Sequence, residues 1–219
     1  MKPIVLFGGT FDPVHRGHVA MIECARDAFA PVRMVVLPAG NPYQKGRMPF
    51  ASPSQRAAML RLACKTIPAV SIDTREFDRA GPTYTADTLR EFRGEFGNAV
   101  PLIWLLGGDA FARLDTWHEW RSLFSLAHFA IILREGEPHP LKAASAALTR
   151  ALANRQSAVA TLSTSALGRY AILDAAVLPI SSTAIRARRA RGESTRELVP
   201  DAVCDYIEQH KLYLSGEQQ

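Results

Sequence analysis

The densest set of residues with chemical potential is Gly8-Gly9-Thr10-Phe11-Asp12-Pro13-Val14-His15-Arg16-Gly17-His18. It follows the apolar run Ile4-Val5-Leu6-Phe7, which reads as a buried parallel strand. It leads into a helix over residues 17–29, carried by Val19, Ile22, Cys24, Ala25 and Phe29 and stopped by Pro31. Two glycines at a strand end let the backbone pass close to a ligand or take a positive φ. The helix start beyond them offers unpaired N–H groups and a positive dipole end, which suits a phosphate. His15 and His18, three apart, can share one face of the first turn. Imidazoles there can donate to phosphate oxygens and offset charge that develops in a transition state. A Gly-rich turn with two ordinary helix histidines is the plainer reading. A metal pair is a third, though spacing three without a further ligand nearby suits zinc poorly. The chain carries no Gly-x-x-x-x-Gly-Lys-Ser/Thr loop, no Gly-x-Gly-x-x-Gly and no Gly-x-Ser-x-Gly elbow.

Further candidates sit where other elements begin or end. Lys45 follows a second strand, Val32 to Leu37, closed by Pro38; it reads as a phosphate contact or as a solvated lysine. Ser181-Ser182-Thr183 follow a last strand at Val177-Leu178-Pro179-Ile180 and open a basic helix containing Arg186. The Ser182 and Thr183 hydroxyls can cap that helix or bind phosphate oxygen. Asp109, after Gly107-Gly108 and the strand Leu102 to Leu106, can accept from ribose hydroxyls or cap the next helix. Thr85 starts a helix to Phe96 and offers a cap or a backbone N–H. Trp104 and Trp120 read as core, whereas Trp117 is either core or a surface for stacking on a pyridine ring.

The elements that must position these residues alternate. Ser52-Pro53-Ser54-Gln55 starts a helix, Val70-Ser71-Ile72 is a short strand, and Phe129 to Leu133 is another. The Ala-rich stretch Leu141 to Leu152 reads as helix, followed by a polar segment of weak pattern. Val203, Ile207 and Lys211 mark a final amphipathic helix before a polar tail. Strands alternating with helices predict one α/β domain over residues 1–219, doubly wound and Rossmann-like, with a mostly parallel sheet. Residues about 181–213 form its C-terminal subregion. Ligands then lie beyond the carboxyl ends of the strands, at the point where strand order reverses.

The 219 residues are 47% apolar and 21% charged, with 26 basic against 21 acidic side chains. That balance excludes a charge-driven disordered chain. No apolar run approaches the roughly 20 residues a membrane helix needs, and the first apolar run is too short for a signal peptide. Cys24, Cys64 and Cys204 cannot all pair and make no Cys-x-x-Cys, which fits a reduced, cytoplasmic protein. The net charge of +5 is spread along the chain except at Arg186-Ala187-Arg188-Arg189-Ala190-Arg191. That block is a nucleic-acid patch or the solvated face of a helix; no aromatic residues interleave it.

Taken together, these motifs resemble the nucleotidylyltransferase superfamily, and Gly-Gly-Thr-Phe-Asp-Pro-x-His-x-Gly-His resembles the bacterial nicotinate-nucleotide adenylyltransferases in particular. Pro38-Ala39-Gly40-Asn41-Pro42 with Lys45 is similar to the family's phosphate loop, and Tyr84-Thr85-Ala86-Asp87-Thr88-Leu89 to its Tyr-Thr-x-Asp-Thr-Leu segment. Gly107-Gly108-Asp109 with Trp117, Ile180-Ser181-Ser182-Thr183-Ala184-Ile185-Arg186, and Leu198 to Tyr213 match in the expected order. Two departures stand out: Tyr43-Gln44 replace a common Pro-His, and residues 136–169 match no known segment.

The resemblance implies that ATP and nicotinate mononucleotide give the dinucleotide and pyrophosphate. It implies His15, His18, Lys45 and Arg186 as catalytic groups. ATP would be met by Gly8, Gly9, Thr10, Phe11, His15, His18, Gly107, Asp109, Ile180, Ser181, Ser182, Thr183 and Arg186. Nicotinate mononucleotide would be met by Asp12, Lys45, Tyr84, Thr85, Asp109, Trp117 and His118. Mg²⁺ would be held by the ATP phosphates and not by protein side chains. Nucleic acid and membrane are not expected partners, and a homo-oligomer is left open. Two other classes compete. One is a class I aminoacyl-tRNA synthetase-like fragment, which would need a Lys-Met-Ser-Lys-Ser-type loop and an anticodon domain. The other is a silent nucleotide-binding regulator that uses the basic helix on DNA.

Overall fold

Short apolar runs that end in glycine or proline become the strands, and the segments between them wind back as helices. The computed structural model describes residues 2–42 and 48–214. Its strands are β1 (Ile4–Gly9), β2 (Arg33–Pro38), β3 (Val70–Ile72), β4 (Leu102–Gly107), β5 (His128–Arg134) and β6 (Tyr170–Val177). Its helices are α1 (Arg16–Phe29), α2 (Pro53–Cys64), α3 (Thr85–Phe96), α4 (Gly108–Phe111), α5 (Trp120–Leu123), α6 (Ala146–Leu152), α7 (Thr161–Thr164), α8 (Ser182–Ala190) and α9 (Asp201–Gln209). The sheet runs β3-β2-β1-β4-β5-β6, and every pairing is parallel. The order reverses between β1 and β4, so their glycine-bearing ends open a crevice at the switch point.

Alternate residues of each strand face opposite layers. Val5, Phe7, Met34, Val36, Ile103 and Leu105 pack with α1, α2, α8 and α9, whereas Ile4, Leu6, Val35, Leu37 and Trp104 pack with α3 and α5. Each such side chain, fully buried, contributes about 1.5–3 kcal/mol. Ile185, Val203, Ile207, Leu212 and Tyr213 share the first layer with β1, so the C-terminal subregion has no core of its own. Ser52 caps α2 in a reciprocal box with Gln55, at 3.2 and 2.8 Å, as its sequence predicts.

Three expectations change. The last strand is Tyr170–Val177 and not Val177–Ile180: Pro179 has no N–H for a ladder, and Leu178 is 60% exposed. The Ala-rich stretch divides into a 3₁₀ turn at Pro140–Lys142 and α6, because Ser145 caps a new helix by accepting from the Leu148 N–H at 3.1 Å. The final helix stops at Gln209; Lys211 lies beyond it with φ of 53°, in the left-handed region. Among the described residues no helix is long and apolar enough to cross a membrane. In the basic block, Arg188 and Arg191 are paired with Glu193, and Arg188 also with Glu197, as on a solvated helix face.

Candidate active site

The two histidines build the start of α1. His15 is its N-cap, and the His15 Nδ1 accepts from the His18 N–H at 3.3 Å. In return the His18 Nδ1 accepts from the His15 N–H at 3.2 Å. Imidazoles thus play the parts that Ser and Glu take in an ordinary capping box. The rings stack at 3.6 Å between centroids, and the His18 ring meets Phe11 edge-on at 4.9 Å. Because each Nδ1 is an acceptor, a neutral ring carries its proton on Nε2. His15 is 5% exposed; burial first, then Arg134, lowers its pKa to about 3. At neutral pH it is therefore an uncharged N–H donor. With both Nδ1 lone pairs committed to backbone, chelation is an awkward use of the pair.

A cavity of about 150 Å³ lies against this turn, lined among others by Gly8, Gly9, His15, Gly17, His18, Gly107, Asp109, Arg134, Leu178 and Ile180. Neither Gly8 nor Gly9 takes a positive φ, so they supply room and not turn geometry. A Cβ on Gly8 would fall 2.3 Å from the Trp104 ring of β4. Asp109 sits inside α4, whose cap is Gly107, and is exposed; its Oδ1 accepts from the Ala110 N–H at 2.9 Å. Its Oδ2 is 3.7 Å from Arg134. Sequence reasoning missed Arg134. Its signal was a cation ending a strand at the carboxyl edge, and the β5–β6 register slips between Ile132 and Arg134, a bulge of the kind that re-aims a side chain.

A second cavity of about 200 Å³ is lined by Thr10, Asp12, Met48, Pro49, Phe50, Thr183 and Arg186. Here α8 is tied to the turn before α1. Ser182 Oγ donates to the Pro13 carbonyl at 2.9 Å, and Arg186 Nη1 donates to the Asp12 carbonyl at 2.6 Å. The cap of α8 is Ser181, which accepts from the Ala184 N–H at 3.2 Å, so neither Ser182 nor Thr183 caps it. Thr183 instead accepts from Arg186 at 3.2 Å, and the guanidinium lies 4.8 Å over the Phe50 ring.

Asp12 borders this cavity but is 4% exposed, and protein donors hold it. Its carboxylate accepts from the Phe50 N–H at 2.8 Å, the Ala51 N–H at 3.1 Å and the Tyr213 hydroxyl at 2.8 Å. Arg56, fully buried, donates to the Thr10 carbonyl at 2.8 Å, while its Nε and Nη2 have no hydrogen-bond partner among the described residues. Sequence reasoning singled out neither the Arg56 guanidinium nor the Tyr213 hydroxyl, since each acts across a long stretch of chain.

The remaining candidates cluster beside α3. Tyr84 is the cap residue of α3 and Thr85 its first helical residue, so Thr85 is not the cap. The Tyr84 and His118 rings stack at 4.1 Å, with His118 exposed. Trp117 is half-buried and packs against the Trp104 side of the core. Neither of the two cavities above is lined by Tyr84, Thr85, Trp117 or His118. Thr88 of the same segment is buried and donates to Glu76 at 2.6 Å, a packing role. Lys45, with Tyr43 and Gln44, lies outside the described residues.

A family profile described as cytidylyltransferase-like matches residues 6–188. A Stenotrophomonas maltophilia protein named "Probable nicotinate-nucleotide adenylyltransferase" is 44% identical over 218 residues, spanning 96% of each chain. The chain belongs to the nicotinate-nucleotide adenylyltransferase family. A Cellvibrio japonicus protein of the same name is 41% identical over 97% of this chain and 100% of its own. The solved Plasmodium falciparum nicotinic acid mononucleotide adenylyltransferase complexed with NaAD superposes with a TM-score of 0.73 at 18% identity, covering 97% and 98% of the two chains. That likeness speaks for the fold. Membership in the nicotinate-nucleotide adenylyltransferase family makes the protein a nucleotidyltransferase enzyme.

Proposed function

We propose that the protein transfers the adenylyl group of ATP to nicotinate mononucleotide, giving nicotinate adenine dinucleotide and pyrophosphate, in NAD biosynthesis. A phosphate oxygen of the mononucleotide attacks the α-phosphorus of ATP, and the bond from that phosphorus to the bridging oxygen of pyrophosphate breaks. The attacking phosphate has a second pKa near 6, so at pH 7 it is largely ionised and needs no general base. The site must bring two polyanions together in line and stabilise charge on the departing oxygens.

The observation that carries this reading is the junction of two helix starts. Ser182 to Pro13 at 2.9 Å and Arg186 to Asp12 at 2.6 Å set α8 directly against the turn that ends in His15. The imidazole pair and the Ile-Ser-Ser-Thr stretch therefore face one region. His15 and His18 present Nε2–H donors toward ATP, and Arg186 supplies a fixed positive charge. Gly8, Gly9, Gly107 and Ile180 shape the ATP side, where Asp109 accepts from ribose hydroxyls. Tyr84, Thr85, Trp117, His118 and Lys45 receive the nicotinate nucleotide. Among the described residues no group of three or more His, Cys, Asp or Glu side chains could hold a metal ion, and the donors here suit anions. Asp109 is the carboxylate at the ATP-side cavity that could approach a cation carried in by the phosphates. Mg²⁺ bound to ATP neutralises part of the phosphate charge. The free thiols of Cys24, Cys64 and Cys204 suit a cytoplasmic setting.

Pyrophosphate release tests the assignment, with ATP and, in turn, nicotinate mononucleotide, nicotinamide mononucleotide, FMN or phosphopantetheine. The nicotinate nucleotide should give the highest kcat/KM. Release with phosphopantetheine alone would overturn the substrate.

A further inference from the structure

The stretch that matches no known segment is unusual in charge. Residues 138–173 contain Lys142, Arg150, Arg155 and Arg169 and not one Asp or Glu. Three of these cations meet at one place. An open cavity of about 490 Å³ is lined among others by Arg150, Arg155 and Arg169, with Asn154, Leu167 and Gly168. It lies where the chain enters β6, at the amino edge of the sheet. It shares no residue with either cavity at the carboxyl ends of the strands.

Two of the three guanidiniums are held in place by backbone. Arg155 Nε donates to the Ala151 carbonyl and Nη1 to the Gly168 carbonyl, both at 3.0 Å, and the group lies 4.9 Å over the Phe124 ring. Arg169 Nη1 donates to the Asn154 carbonyl at 2.7 Å. Beneath them, Arg93 donates to the Ala166 carbonyl, and the His128 ring bonds the Ser165 carbonyl and the Arg169 N–H. The buried donors of this end are thus committed to the protein and fix the turn from inside. The arginines at the cavity are not used up. A guanidinium has five N–H donors, and these bonds take two of Arg155 and one of Arg169. Arg150 is exposed, and its side chain makes no hydrogen bond among the described residues. Among the described residues none of the three forms an ion pair, whereas Arg188 and Arg191 of the basic block are both paired with Glu193.

Three like charges at one cavity repel one another, and no carboxylate of their own segment relieves them. A multivalent anion would, and the guanidinium fork matches phosphate oxygens. The charges gather at one concave point, which suits a small ligand. A nucleic-acid strand needs an extended track and stacking surfaces, and no aromatic side chain lines the cavity. We propose that this cavity is a second anion site, apart from the adenylyl-transfer site, that takes a small molecule bearing two or more linked phosphates. It stands independently of the reaction assigned above.

Amide NMR spectra of isotope-labelled protein, titrated with inorganic pyrophosphate at low salt, test it. The Gly168 and Arg169 amides should shift and saturate, as a set apart from any shifts at His15 and His18. Arg150→Gln should raise the Kd read at Gly168 about threefold, and Arg150→Gln with Arg169→Gln about tenfold, the scale of one and two exposed charge contacts. Both variants should keep wild-type kcat. Arg61→Gln with Lys65→Gln, on and just after α2, removes the same charge and should leave that Kd unchanged. An ATP titration separates the sources: a Kd equal to that of pyrophosphate upholds a site for the phosphates alone, and a lower one upholds a nucleotide site with the nucleoside against Leu167. No shift at Gly168 and Arg169, an unchanged Kd in Arg150→Gln, an equal rise in the α2 control, or tighter binding of an oligonucleotide than of pyrophosphate at those amides would each overturn the inference. None of these results touches the functional reading, which the pyrophosphate-release assay decides.

Discussion

His15 and His128 are both buried, and burial lowers the pKa of each, yet they stand at opposite ends of the sheet. At the amino end of β5, both ring nitrogens of His128 are used: Nδ1 accepts from the Arg169 N–H at 3.1 Å, and Nε2 donates to the Ser165 carbonyl at 2.8 Å. At the carboxyl end of β1, His15 uses Nδ1 in the helix cap and lines a cavity with the rest of its ring. Two buried arginines repeat the contrast. Arg93 donates from Nε to Leu126, from Nη1 to Gly97 and Val100, and from Nη2 to Ala166, all at 2.7–3.1 Å. Arg56, under the Thr10–Asp12 turn, has one such bond among the described residues. A buried polar group left short of partners costs free energy, so the end that saturates its donors serves stability, while the shortfall at Arg56 falls beside Thr10, which lines the second cavity.

The sharpest way to break that contrast is His18→Ala, which should lower kcat roughly 100- to 1000-fold, the scale of losing one donor to developing charge. Stability should fall by only about 1 kcal/mol, because the His15 N–H loses its capping partner. Normal turnover in this variant would remove the imidazole from the mechanism. At the other end, Arg93→Met should cost roughly 3 kcal/mol in urea unfolding, since several carbonyls lose their donor at once. Its kcat per folded molecule should match wild type; a fall in kcat would mean the amino end is not merely structural.

Acid sharpens the comparison further. His15 has a folded pKa of about 3 against an ordinary 6.5, so the unfolded chain takes up a proton first as pH falls. The stability it contributes is complete above pH 6.5 and is lost as pH drops toward 3, amounting to about 2 kcal/mol by pH 5. His15→Gln should shrink the stability difference between pH 8 and pH 5 by about that amount, measured by urea midpoints. An undiminished difference would show that the His15 ring is solvated. The smallest effect expected is from Trp117→Ala, an approximately tenfold rise in KM for nicotinate mononucleotide with kcat nearly unchanged. Loss of folding instead would assign the indole to the core it touches.

Much of the architecture was readable before any coordinates. The runs Ile4–Phe7 and Leu102–Leu106 are long enough and apolar enough to be buried parallel strands, and Ser52 with Gln55 announces a helix by a local hydrogen-bond exchange. The run Tyr170-Ala171-Ile172-Leu173 was overlooked because Asp174 and two alanines interrupt it and the polar stretch before it blurs its start. The Ile-Ser-Ser-Thr stretch was legible as a helix start, but which hydroxyl caps was not: Ser181 does, and Ser182 turns to the Pro13 carbonyl.

Caps, turns and apolar periodicity depend on atoms a few residues apart, and so the one-dimensional chain already contained the Gly-Gly turn, the His-x-x-His helix start and the alternation that makes a doubly wound sheet. The duties of Asp12, Arg56, Arg134 and Tyr213 depend on neighbours tens to hundreds of residues away. Nothing in local pattern could announce that the hydroxyl of Tyr213 would meet the carboxylate of Asp12. That pairing exists because α9 packs its apolar face, Val203 and Ile207, beneath β1, and burial then obliges each polar group carried inward to find a partner.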